Sequence, residues 1–329
     1  MNTINPNSNA MPESSPSAQR KDSPATDSPI KESQVFAPSA LAATRPFYWS
    51  LRRELWENRS IYIAPLAVAA LFLLGFMLST IHLPDKMRAA SALDMMKLDE
   101  MIERPYDFAE LLLMATYLIV AVFYCLDALH GERRDRSILF WKSLPVSDLT
   151  TVLSKASVPL VILPLLAFAL TIVTQFIMLL LSTLVLHGGG LSASTLWTQS
   201  ALLPTAVMLL YHLVTVHILW HAPIYGWLML VSGWARRAAF LWAVLPPAAI
   251  CVVEKLAFNT SHFAAFLQYR FTGGPEASTM PGNSPIDPMM MAHLTPGRFL
   301  STPGLWFGLV VAAAFLLAAA RQRRYRGPL

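Results

Sequence analysis

The chain has 329 residues, 55% hydrophobic and 14% charged, with a net charge of +5 and a mean hydropathy of +0.47. A soluble domain carries about 25% charged residues. This composition and its long uncharged apolar runs therefore exclude a soluble globular protein and point to an all-α, polytopic membrane protein.

Residues 1–44 are rich in Ser, Pro, Asn and Ala and lack the apolar core of a signal peptide. They cannot bury enough surface to fold, so a disordered cytoplasmic tail is expected there. The rest of the chain, 45–329, is expected to be one transmembrane domain. It opens with FYWSLRRELWENRS (47–60). On a helical wheel Phe47, Tyr48, Leu51 and Leu55 share one face, and Arg53, Glu54 and Glu57 the opposite one. With Trp49 and Trp56 added, this reads as an amphipathic helix lying in the cytoplasmic interface.

Six apolar runs follow, at about 61–81, 108–126, 158–186, 202–231, 238–253 and 303–320. The fourth is long: thirty residues of straight helix would run about 45 Å against a hydrocarbon core of about 30 Å. Pro223 is its natural break. Six spans with both ends inside place 18 of the 25 Lys and Arg on the cytoplasmic side, whereas seven spans would export the basic tail RQRRYRGPL. The net charge is thus spent largely on topology rather than on nucleic acid. Between the first two spans, Lys86–Arg104 reads as a short outer helix that Pro105 stops. Gly188-Gly189-Gly190 is expected to be an external turn. The last outer loop, Glu254–Thr302, starts with a helix near His262–Tyr269 and then turns Gly- and Pro-rich, which argues for irregular structure.

No P-loop, H-E-x-x-H or G-x-S-x-G motif occurs, nor any Cys/His group with zinc spacing. Cys125 and Cys251 both lie in apolar runs and read as small buried hydrophobes. No extramembrane segment is long enough to fold as an enzymatic domain, so no enzyme, resident cofactor or metal site is expected. The remaining polar candidates are intramembrane. His212, His217 and His221 lie in the fourth run, the latter two on one helix face, and lack a third kind of ligand. Gln175 in the third run reads as an interhelical hydrogen-bonding group. Gln175, His217 and His221 are the possible pore-lining residues. They keep open an alternative, a secondary transporter or channel, which would show inverted repeats and paired broken helices; no internal repeat is evident. Glu110 and Asp127 flank the second span, and Asp127 with His130 suggests a local pair.

The most charged interruption of the apolar sequence is GERRDRSILFWKSLPVSDLTTVLSK, 131–155, between the second and third spans. Its Glu132-Arg133-Arg134, Ile138-Leu139, Leu144-Pro145-Val146-Ser147 and Lys155 resemble the cytoplasmic loop of type-2 permeases of ATP-binding cassette transporters. Arg136-Ser137 stands where that family usually has Gly-Thr, and the family's Glu after the leucine-rich turn is replaced near Phe140-Trp141. The resemblance implies a half-pore in a bacterial inner membrane, in an export-type transporter. It would pair with a second permease subunit, the same chain or another, and be driven by a separate ATPase subunit that binds the ATP. The residues carrying the coupling would be Glu132, Arg133, Arg134, Ile138, Leu139, Trp141, Leu144 and Pro145. Ile138, Trp141 and Leu144 would share the docking face, with Trp141 its anchor.

Overall fold

Among the described residues, six helices are long and apolar enough to cross a membrane. The computed structural model describes residues 45–90, 95–143, 146–190, 192, 194–199, 202–273 and 296–327. Every regular element among them is helical. The expected tail at 1–44, most of the Gly- and Pro-rich outer loop, and Leu144 and Pro145 lie outside the described residues.

Helix α1 (Arg45–Glu57) precedes the first span, α2 (Ser60–Thr80), which is apolar on all sides as lipid contact requires. After α3 (Leu83–Ala90) comes α4 (Met95–Asp127), which holds the second span. The region expected to form an outer helix is helical in α3 and in the start of α4, but Pro105 does not end it: α4 runs through that proline. A proline deletes one backbone donor, and here Ile102 and Ala109, buried on either side of it, hold the helix by packing.

Two short helices follow, α5 (His130–Arg134) and α6 (Ile138–Lys142). Helix α7 (Asp148–Ser157) then starts at Ser147, whose hydroxyl accepts the Thr150 amide at 3.0 Å and caps the helix. It passes through a π-helical turn at Val158–Ile162 into α8 (Leu163–Gly188). The third span is thus one rod with the end of the charged segment, 148–188. Hydropathy placed its start later because α7 still carries Asp148 and Lys155.

Helix α9 (Ser194–Gln199) leads to α10 (Leu202–His212), a π-helical stretch at Leu213–Trp220, and α11 (Ala222–Trp234). The fourth apolar run is therefore broken, at His221, two residues before Pro223. The His221 amide reaches five residues back to the Val216 carbonyl at 2.9 Å, and the Ile224 amide returns to the His221 carbonyl at 2.9 Å. The wide turn and the missing proline amide end one helix and start the next. Helix α12 (Ala239–Phe258) continues through Pro246-Pro247 and is bounded by left-handed residues, Ala238 and Asn259. The Glu254 carboxylate caps α13 (His262–Phe271), accepting the His262 and Phe263 amides at 2.7 and 2.8 Å. The short α14 (Pro296–Leu300) precedes the last span, α15 (Pro303–Tyr325).

The main core lies between α4, α7, α11 and α15, with Cys125, Val152, Met229 and Ala319 fully buried in it. Helices α11 and α15 approach closely because Gly226 faces α15: a Cβ there would meet the Ala312 carbonyl at 3.2 Å and the Phe315 Cβ at 3.3 Å. Small residues allow such contacts in membranes. Gly226→Val is expected to lower the thermal midpoint of the purified chain, by overpacking worth about 1–3 kcal/mol. Gly75→Val, at a position with open space around it, serves as the silent comparison.

Candidate coupling site

The charged segment between the second and third spans is not a solvated loop. Short α5 carries Glu132 and Arg133, both buried, and Arg134, which is exposed. Glu132 meets three cations from three other elements: Arg53 of α1 at 2.9 Å, Lys155 of α7 at 3.2 Å and Arg323 of α15 at 3.3 Å. Lys155 also reaches Glu54 of α1 at 2.8 Å, and Arg323 pairs with Asp148 at the start of α7. Arg53 closes the circuit onto Glu54 at 3.0 Å, while the Tyr124 hydroxyl donates to Glu54 at 3.0 Å. Glu54, Glu132 and Asp148 thus balance three cations in the part of the chain where α1, α4, α5, α7 and α15 meet, and the exposed Glu57 adds a contact to Arg53 at 3.3 Å. Isolated charges could not be buried there; paired and hydrogen-bonded ones can.

Arg133 works differently. Its guanidinium donates to the carbonyls of Gly233 at 2.8 Å, Ala235 at 3.3 Å and Gly327 at 3.3 Å. It holds the frayed end of α11 and the segment after α15, where helix carbonyls lack intrahelical partners. Ser232 adds to this junction by accepting the Leu129 and His130 amides at 3.0 and 2.9 Å. The expected Asp127–His130 pair is not formed: His130 Nδ1 lies 3.2 Å from the Ala235 carbonyl, and Asp127 faces Arg134 at 3.8 Å.

The apolar residues of α6 split by face. Ile138 is fully buried. Trp141 is half-buried, its ring 3.6 Å below the Arg53 guanidinium. Lys142 donates to the Arg324 and Arg326 carbonyls at 3.3 and 3.1 Å. The outward face instead holds Leu139 and Phe140, 59% and 60% exposed. The face expected to dock, with Ile138 and Trp141, therefore points mostly inward. The outward face is the other one, and Leu144 and Pro145 lie outside the described residues.

Sequence reading missed Glu54, Arg53, Tyr124, Asp148 and Arg323 as partners of this segment. The helical wheel puts Arg53 and Glu54 on the polar face of an interfacial helix, yet Glu54 is 1% exposed. The outward face of α1 carries Tyr48, Trp49 and Trp56, with Arg52 standing over both indoles. The signal available was an excess of oppositely charged residues at the ends of otherwise apolar elements.

The possible pore-lining residues lie elsewhere. His212, His217 and His221 form a column with ring centroids 5.3 Å apart at each step, and Tyr117 meets His217 edge-on at 5.4 Å. Gln175 is buried in α8, where it faces Glu110 of α4. Among the described residues, no group of three His, Cys, Asp or Glu side chains is arranged to hold a metal ion. At the start of α11, Arg270 of α13 lies 4.4 Å over the Trp220 ring and donates to the Trp220 and Gly304 carbonyls at 3.4 and 2.5 Å. It satisfies a carbonyl freed by the break in the fourth run. Burial pulls the Arg270 guanidinium below its ordinary value.

No family model, no curated protein and no solved structure matches this chain.

Proposed function

We propose that the chain is the membrane-spanning permease subunit of an ATP-binding cassette transporter of export type. Each subunit supplies half of the pore and is moved by a separate ATPase docked on the segment 131–155. The observation that carries this reading is the architecture of that segment. The short α6 presents Leu139 and Phe140 outward, while Glu132 of the short α5 binds the segment to Arg53 of α1, Lys155 of α7 and Arg323 of α15. An exposed Leu-Phe pair next to a rigid charged base is what a protein–protein contact needs. The continuous rod from α7 into α8 supplies a lever from that contact into the membrane. A second permease subunit finds ample apolar surface on α2 and α12, the least buried of the six spanning helices.

In this reading the docking segment and both termini face the cytoplasm. The aromatic outer face of α1 lies in the headgroup region of the same leaflet, where Trp, Tyr and Arg are favoured. Reporter fusions after Asp148 and at the C-terminus are expected to report cytoplasm, and fusions after Gly189 and Asn283 the outside. An external C-terminus would contradict both the six-span topology and the permease reading. The direct test is whether an ATPase subunit without spans is encoded beside this chain and co-purifies with it when the chain is tagged. A stable complex whose ATPase activity responds to the membrane subunit is expected; an ATPase that never co-purifies with the intact chain refutes the proposal.

A further inference from the structure

A line of polar side chains runs through the mostly apolar inner face of the second span. Tyr106, Glu110, Tyr117 and Tyr124 recur at four- and seven-residue spacing along one face of α4. They cover about 27 Å of helix, close to the hydrocarbon thickness of about 30 Å. Facing them are polar groups of α8 and of the broken fourth run. Gln175 faces Glu110, the Tyr117 and Tyr225 hydroxyls lie 3.0 Å apart, and Tyr117 also reaches the Pro159 carbonyl at 3.3 Å. Tyr124 delivers the seam to Glu54 and so to the ionic cluster.

Several buried atoms along it have no protein partner: the Tyr106 hydroxyl, which faces Ser182, with Thr171 Oγ1, Gln175 Oε1, His217 Nδ1 and His221 Nδ1. Leaving such groups dry costs about 1–3 kcal/mol each, and clusters of them are where buried water sits. The seam closes under the apolar cluster of Ile102, Leu179, Leu186 and Leu196.

We propose that this seam is a hydrated track inside each subunit, with Glu110 as its proton-binding group. The proposal does not depend on the permease reading. The unpartnered Gln175 oxygen and Thr171 hydroxyl both accept hydrogen bonds, Glu110 contributes the carboxyl, and water is the smallest occupant that can donate to them. The charged and polar groups bearing on Glu110 are Asp107 on its own helix and Gln175 on α8. A proton enters from a track water onto a Glu110 oxygen and leaves to a water, so no other reactant is needed. The histidine column and the tyrosines supply further hydrogen-bonding steps toward the ionic cluster.

Two measurements on the full chain in detergent micelles test this. X-ray hydroxyl-radical footprinting reads side chains beside buried water. Tyr117 is expected to be modified several-fold faster than Phe299, which is equally buried but lies in an apolar cluster. Thr171→Val, a change of little bulk, should reduce that labelling while leaving the elution profile intact. Labelling no faster than at Phe299 would show a dry seam of interhelical hydrogen bonds and overturn the track. The second probe is dicyclohexylcarbodiimide, which adds to a protonated carboxyl, whose proton passes to the reagent nitrogen, and gives a stable acylurea. Mass spectrometry should place the adduct on Glu110, and Glu110→Gln should remove it. A wet seam with no adduct at Glu110 would refute its role as the proton-binding group.

Discussion

Glu132→Gln is expected to destabilise the folded chain by about 3–5 kcal/mol, the usual cost of removing one partner from a buried ion pair. The change keeps size and hydrogen-bonding capacity and removes only the charge. Arg53, Lys155 and Arg323, all within 3.3 Å of the carboxylate, would then face one another with only Glu54, Asp148 and the exposed Glu57 to balance them. The loss should appear as a lowered thermal midpoint and as faster proteolysis near residues 53–58, because α1 is held to the bundle partly by this contact. Lys155→Met alone should cost a similar amount, since it strips a cation from both Glu54 and Glu132. The double change should cost clearly less than the two single losses added, because residues in one network are coupled. Additive losses, or a Glu132→Gln chain with unchanged midpoint, would show that the cluster does not hold these elements together. Glu132→Lys is a harsher change: it puts a fourth cation among three, so it should impair assembly of the bundle itself rather than only communication with a partner.

The parts of this molecule legible in the sequence are those decided by bulk hydrophobicity. Long apolar runs gave six spans, excess length gave the break in the fourth, and local composition gave α1 and α13. What composition does not encode is which face of a helix turns inward. Glu54 looked like the solvent face of α1 because carboxylates are rarely buried. Only the partners Lys155 and Arg53 make its burial affordable, and Lys155 lies 101 positions away. Arg323 was counted among topology-setting charges, which the exposed Arg321 and Arg324 beside it resemble, yet it pairs with Glu132 and Asp148. Pro105 reads as a helix stop, but α4 continues through it, with Ile102 and Ala109 buried on either side. The histidine column was visible as spacing. Its continuity with Tyr117 was not, since it depends on the π-helical stretch and on a contact between separate helices.

Leu139→Asp and Phe140→Asp are each expected to abolish co-purification of the ATPase, weakening the contact by at least about 2 kcal/mol, or roughly thirtyfold. Both side chains are exposed on α6, so their replacement removes apolar anchors without touching the core. Neither change should alter the thermal midpoint of the isolated chain, which separates lost docking from lost folding. Trp141→Ala tests the competing face. Its indole lies under Arg53, which itself bonds Glu54 and Glu132. Its loss should therefore lower the midpoint through the ionic cluster and weaken the complex only in proportion. The two outcomes are distinct: a stable chain that no longer binds for Leu139 and Phe140, and a less stable chain that still binds for Trp141. A lipid surface is the other partner that would accept an exposed Leu-Phe pair. In that case both Asp variants would keep the ATPase and lose membrane attachment of α6 instead, seen as greater protease access at Lys142. Retention of wild-type ATPase binding by Leu139→Asp and Phe140→Asp together would remove this face as the coupling surface, whatever Trp141→Ala does.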